Sequence, residues 1–390
     1  MKKILVRLLF LFLLINQSTG KLFAQPASSA DRDSSRLRIS LLTCTPGDEL
    51  YSIFGHSAVR IIDSNSVTDI VYNYGTFNFD DEGFYLKFIR GKLLYYISIE
   101  QFEDFKFLYQ ATNRGMTEQV LNYSGKEKKT IQHALNENLK EENKYYKYDF
   151  FLDNCTTRLR DLLVINKYPQ PVLPAVMPVN TPFRQAIHQY LDKGKQSWSK
   201  LGIDILLGAP TDAVMTASQQ QFLPDNLMIS LDSCRNTNLV RSSENLYLLP
   251  GNNEQNNWFT PMLFFSLLLG IFILLSFSNN KSLQAILKRL DGLLFFLTGL
   301  LGIILVLMWA STDHTMTKNN YNLLWAWPTH IILSFFIGSN RSFVKKYFLF
   351  TAIGLSGILL VWFFLPQQMN NALIPFVITL IYRSAMKYLK

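Results

Sequence analysis

From Trp258 onward the chain is dominated by Leu, Ile and Phe, in runs that match the thickness of a bilayer. A helix needs about 20 mostly apolar residues to cross the hydrocarbon core, and only helices or closed barrels satisfy their backbone there. The runs are 258–277, 292–310, 323–338, 347–365 and 372–386, which predicts about five transmembrane helices. Two of the segments between them, "SNNKSLQAILKRLDG" and "SNRSFVKKY", are basic, as is the C-terminal tail with Arg383, Lys387 and Lys390. Lys and Arg collect in cytoplasmic loops. The C-terminus is therefore expected inside, and the part before residue 258 outside.

The other end of the chain agrees. "MKKILVRLLFLFLLINQSTGKLFAQ" has a basic start, an apolar run and the small residue Ala24, the pattern of a secretory signal cleaved after residue 24. No cysteine follows the cleavage point, so the chain is not itself expected to be a lipoprotein. The expected organisation is a signal peptide over 1–24, an exported domain over 25–257 and a helical membrane domain over 258–390, in the inner membrane. The formal charge of +9, from 38 basic and 29 acidic residues, has the sign of a nucleic-acid binder. Many of the cations flank the apolar runs instead, so membrane topology accounts for them and nucleic acid is not an expected partner.

The exported part reads as α+β. "RLRISLLT" (36–43), "SAVRII" (57–62) and "DIVYNYGTF" (69–77) have strand character. Residues 98–113 space Phe102, Phe105 and Leu108 as a helix, and 126–142 form a solvated charged helix. A further helix starts near Asn154, with Asp153 or Asn154 as cap and Leu159, Leu162 and Leu163 on its apolar face. Three cysteines, Cys44, Cys155 and Cys234, allow at most one disulfide and leave at least one thiol.

Cys155 lies in the first turn of that helix, in the polar run Asp153-Asn154-Cys155-Thr156-Thr157. Unpaired N–H groups and the helix dipole favour a thiolate there, and the same N–H groups can serve half of an oxyanion hole. A nucleophile of this kind needs a base and an orienting group. His133 and His188 sit in helical settings as surface or packing residues, and His314 and His330 belong to the membrane half. His56, in "YSIFGHSAVRI", follows a glycine and opens a strand. Taken alone it reads more readily as a packed histidine. No carboxylate–histidine cluster has metal-ligand spacing, so neither metal nor cofactor is called for.

"CTPGDELYSIFGHSAVRI", "VYNYGTFNF", "NCTTRLRD", "LLGAPTD", "FLP" and "DHTMTKNNYNLLWAWP" together resemble the Lnb-type bacterial lipoprotein N-acyltransferases, over both halves of the chain. More distantly, the His-before-Cys order resembles the circularly permuted papain-like enzymes of the lecithin:retinol acyltransferase-like group. The resemblance implies a permuted papain-like fold for the exported domain, with Cys155 as nucleophile, His56 as base and a polar third member on the next strand. Asn73 is the candidate for that role; Tyr72 or Tyr74 would replace it if the register were one residue off. Tyr51, Ser52, Arg60 and Asn154 flank the pair and are candidates for positioning substrate, with ordinary turn, strand and cap packing as the alternative. In the outer loop, His314, Asn319, Asn322 and Trp325 form either a headgroup site or an interfacial belt of the usual kind.

What the resemblance implies chemically is transfer of a fatty acyl chain from a membrane phospholipid, through a thioester on Cys155, to the α-amine of a diacylated lipoprotein. The alternatives are a membrane-bound thiol lipase or peptidase using the same dyad with water as acceptor, or a non-catalytic lipid- or protein-binding membrane module.

Overall fold

The computed structural model describes residues 36–247 and 258–389; the segment read as a signal peptide lies outside them. Seven antiparallel strands form one sheet in the order β6-β4-β3-β2-β1-β5-β7. Their ranges are β1 Leu37–Cys44, β2 His56–Asp63, β3 Thr68–Thr76, β4 Leu94–Gln101, β5 Met116–Leu121, β6 Tyr145–Lys147 and β7 Val240–Tyr247. The central β1 and β2 are buried on both faces, because helices cover both sides. Between strands lie α1 (Phe84–Ile89), α2 (Phe102–Ala111) and α3 (Gly125–Asn138). After β6 come α4 (Cys155–Ile165), α5 (Phe183–Lys193), α6 (Ser197–Leu206) and α7 (Pro224–Asp232).

On one face Ile39, Leu41, Val59 and Ile61 pack against Ile131 and Leu135 of α3, Leu159 and Leu163 of α4, and Leu227 and Leu231 of α7. On the other, Leu42, Ala58 and Val71 pack against Phe102, Phe105 and Tyr109 of α2. The expected helix 98–113 is shorter than its aromatic spacing suggests. Residues 98–101 complete β4, where Ser98 to Gln101 pair with Asn73 to Ile70 of β3, and sheet pairing outweighs the local periodicity.

Past Trp258 the helices are α8 (Pro261–Ser276), α9 (Lys281–Ala310), α10 (Thr329–Ser334), α11 (Ser342–Leu360) and α12 (Ile374–Leu389). Three helical stretches, Lys281–Ala310, Ser342–Leu360 and Asn371–Leu389, are long and apolar enough to cross a membrane, and the apolar Pro261–Ser276 is shorter. Among the described residues this makes three spans rather than the expected five or so, and two details of the runs also differ. The basic stretch before residue 292 is not a loop but the first turns of α9. The run 323–338 is broken into a 3-10 turn, Tyr321–Leu324, and the six-residue α10. Pro328 has no N–H to give a helix, and Trp325 turns inward to bond Asn322 Oδ1 at 3.0 Å. Gly299 and Gly302 of α9 have no side chain where this broken segment crosses: a Cβ on either would run into the backbone of Ala326 or Ile331. Arg383 of α12 forms a bidentate pair with Asp291 of α9, at 2.6 and 2.7 Å.

The two halves interlock. Met316 of the outer loop packs with Phe183, Ile187 and Phe222 of the exported part, while Leu201 of α6 belongs to the core of the membrane helices. Polar contacts fix the join. The side-chain amides of Asn320 and Asn322 donate to backbone carbonyls at the end of α6 (residues 204–206), the Gly208 N–H donates to the Met316 carbonyl, and Gln367 donates to the Leu207 carbonyl. Beneath them Arg184, fully buried, pairs with Asp204 (2.9 Å) and Asp212 (2.9 Å) and donates to Thr211 Oγ1 (2.6 Å). His188 and Asn370 both bond Asp204, each at 2.8 Å, which ties this cluster to the membrane helices.

Candidate active site

His56 owes its position to Gly55. The glycine has φ +78°, and a Cβ on it would sit 2.8 Å from the Cys44 carbonyl, so only glycine makes the turn into β2 without strain. The β1–β2 register then sets His56 opposite Cys44 at the end of the sheet. Next to it β3 changes register between Asn73 and Thr76, around Gly75 at φ +89°. A Cβ on Gly75 would meet Cys155 Cβ at 3.5 Å, so the bulged strand lies directly against the start of α4.

Asn154 caps that helix. Its Oδ1 accepts from the Thr157 N–H at 2.8 Å, while the Thr157 hydroxyl accepts from the Asn154 N–H at 2.8 Å, a reciprocal capping box. The Asn154 amide also donates to the Phe150 and Phe222 carbonyls, both at 2.8 Å. Asn154 is thus spent on holding the helix start, and Cys155 follows as the first helical residue.

Cys155 and His56 lie close enough that each shifts the other's titration. His56 Nε2 lies 2.6 Å from Asn73 Oδ1, and Asn73 Nδ2 donates to Glu100 Oε1 at 3.3 Å. The carboxylate fixes which way the amide points, so the Asn73 oxygen faces the ring and Nε2 carries a proton. Nδ1 is then the nitrogen of the neutral ring left without a proton. Tyr109 lies nearly parallel to the imidazole, with ring centroids 6.5 Å apart and 14° between planes.

Burial raises the Cys155 thiol, but the His56 imidazole and its hydrogen bond, the Ser57 N–H and the Thr156 hydroxyl together outweigh it. The thiol falls from its ordinary 9.0 to about 7. His56 is raised: burial lowers it, but the Cys155 charge and the bonds to Cys155 and Asn73 prevail. Cys44 provides the contrast. It is equally buried, and burial pushes its thiol up to about 12 despite the nearby Arg114 guanidinium. All three cysteines are free thiols, so Cys44 and Cys234 do not pair.

Residues 24–187 match the Lnb N-terminal periplasmic domain, and residues 253–390 match the Lnb transmembrane domain. The chain belongs to the Lnb family. It is accordingly a membrane protein with a periplasmic N-terminal part, and His56, Asn73 and Cys155 all lie within the matched Lnb periplasmic domain. Residues 188–252, which carry α6, α7 and β7, fall between the two Lnb matches. No curated protein and no solved structure matches the chain.

The remaining candidates are placed differently from the central three. Arg60 faces away from solvent, its guanidinium committed to Asp69 (2.6 and 2.7 Å) and Glu118 (3.0 Å) and stacked over Phe102. It ties β2 to its neighbours rather than reaching for substrate. Ser52 is buried and donates to the Glu49 carbonyl, whereas Tyr51 is 73% exposed. Asn322 and Trp325 are buried in the join between the halves, bonded to α6 and to each other. A headgroup site cannot use donors already engaged in this way. His314 bonds the Phe88 carbonyl at 3.1 Å, and Asn319 is exposed with φ +50°. Sequence reasoning did not find Glu100 or Tyr109, which reach the site through strand pairing and a helix face with no motif of their own. Ser57 and Thr156 lie in the motifs beside His56 and Cys155 and were given no role of their own.

Proposed function

We propose that this Lnb-family chain is a lipoprotein N-acyltransferase, acting through a thioester on Cys155. The observation that carries the reading is the convergence of Cys155, first residue of a capped helix, with His56, whose ring is held by Asn73 at 2.6 Å and whose charge lowers the buried thiol. In chain order the base and its amide precede the nucleophile, the reverse of papain, which supports a circularly permuted papain-like arrangement.

The Cys155 thiolate attacks the ester carbonyl of a phospholipid acyl chain. The Thr157 N–H is taken by the Asn154 cap, which leaves the N–H groups of Cys155 and Thr156, with no helical acceptor, to meet the developing oxyanion. The tetrahedral intermediate collapses, the C–O bond to glycerol breaks, and the imidazolium of His56 protonates the departing oxygen. A lysophospholipid leaves and the acyl group remains as a thioester. The α-amine of the lipoprotein's diacylglyceryl cysteine then attacks the thioester, neutral His56 takes its proton, and the thiolate leaves as the amide forms. Asn73 holds the ring so that Nδ1 faces the sulfur in both halves. The membrane helices hold the site at the outer face of the inner membrane, where both substrates reside, and the C-terminus lies inside.

The test is mass spectrometry of lipoprotein N-termini from cells whose sole N-acylating activity is this chain. Cys155→Ala is expected to abolish the amide-linked chain and leave both ester-linked chains. Incubating the purified full chain with phospholipid alone is expected to leave a hydroxylamine-sensitive acyl group on Cys155. Wild-type N-acylation in the Cys155→Ala strain would refute the proposal; release of free fatty acid without any amide product would favour the hydrolase.

A further inference from the structure

The stretch between β3 and β4 presents an apolar surface that the exported fold does not cover. Phe79, Tyr85, Leu86, Phe88 and Ile89, on and before α1, are 51–75% exposed, more than scattered surface residues account for. Its position is set by the membrane half. The Asp313 N–H donates to the Arg90 carbonyl at 2.9 Å, and His314 bonds the Phe88 carbonyl at 3.1 Å. A Cβ on Gly91 would lie 3.2–3.3 Å from His314. Asp313 comes only three residues after Ala310, the last residue of the longest membrane helix. α1 is therefore pinned at the outer end of a transmembrane span. Arg90 and Lys92 are exposed beside the patch, and Lys147 joins them through its 3.0 Å pair with Asp313.

An apolar helix rimmed by cations at that depth suits one occupant, the headgroup and upper acyl region of a phospholipid leaflet. From its buried side a chain of rings leads inward. Phe84 is 5.8 Å from Phe77, Phe77 is 5.2 Å from Tyr95, and Tyr95 stacks on Tyr148 at 4.3 Å. Tyr148 in turn packs against Gly75, which adjoins Cys155.

We infer that α1 is a membrane-dipping element that inserts in the outer leaflet and feeds phospholipid acyl chains to Cys155 along Phe77, Tyr95 and Tyr148. Insertion stands on the surface alone; delivery rests on the acyl-transfer reading of Cys155.

Insertion is tested without catalysis. Leu86→Cys, in a full-length Cys155→Ala/Cys234→Ser chain, carries an environment-sensitive NBD label in phosphatidylethanolamine–phosphatidylglycerol vesicles. Doxyl-labelled lipid is expected to quench the label, and aqueous iodide is not. Quenching by iodide with no effect of doxyl lipid overturns insertion, whether or not Cys155 is an acyltransferase. Delivery is tested with Leu86→Asp/Phe88→Asp, which is expected to lower thioester formation from vesicle phospholipid at least tenfold while leaving Cys155 alkylation by iodoacetamide unchanged. Unchanged thioester formation overturns delivery. Absence of any thioester on the wild-type chain, with the label still lipid-quenched, overturns delivery and the acyl-transfer reading together but leaves insertion standing.

Discussion

Replacing His56 by Asn should show directly how much of the thiol's acidity comes from its partner. Burial alone raises the Cys155 thiol, and two of the groups that reverse this, the imidazole charge and its hydrogen bond, leave with the side chain. The thiol should then return to 9.0 or above from about 7. At pH 7 the ionised fraction falls from about one half to about one in a hundred, a ~50-fold loss. A thiolate of higher pKa is also intrinsically more nucleophilic, by ~8-fold over two pH units. The net loss in alkylation rate at pH 7 is therefore only about sixfold, and the position of the titration is the sharper readout. Iodoacetamide alkylation of Cys155, followed against pH in a full chain with Cys44 and Cys234 replaced by Ser, should rise through an inflection near 7 in the parent. In the His56→Asn variant it should keep rising past 9. Superimposable profiles would refute the pairing of His56 with Cys155.

Asn73→Ala frees the imidazole to rotate but leaves it beside the sulfur, so acyl transfer should fall far more than alkylation; equal losses would refute an orienting role. Gly55→Ala places a Cβ against the Cys44 carbonyl at positive φ, costing about 1–2 kcal/mol, and should lower both the thermal midpoint and the rate. Asp204→Ala strips the fully buried Arg184 of one partner and should destabilise by about 3–5 kcal/mol, read as a fall in thermal midpoint. Gly208→Ala drives a Cβ into the Lys318 carbonyl and should open the join between the halves, seen as faster proteolysis of the outer loop in intact vesicles.

Signals that are local in the chain were legible in the sequence. The cap at Asn154 and the placement of Cys155 in the first turn both rest on neighbours a few residues away. β7 was not legible: "VRSSENLY" is polar, mostly exposed and held by edge pairing to β5. Arg60 looked available because its partner Glu118 lies 58 residues away and is brought near by the sheet. Asn322 looked like a lipid contact for the same reason, since its true partners are the carbonyls ending α6, more than a hundred residues earlier. A one-dimensional pattern shows a residue's chemistry, but not which bonds the fold has already claimed from it.

The interlocked join bears on how the chain can be handled. A cut near residue 257 looks like a clean way to obtain a soluble enzyme. It would bare Leu201 and Ile205, which pack in the membrane core, and leave the α6 carbonyls without the amides of Asn320 and Asn322. It would also remove Asn370 from Asp204, next to the buried Arg184. The excised piece is expected to aggregate or lose its lower half, so its inactivity would say nothing about Cys155. Only the whole chain, in lipid or detergent, is a fair vessel for asking what the thiol does.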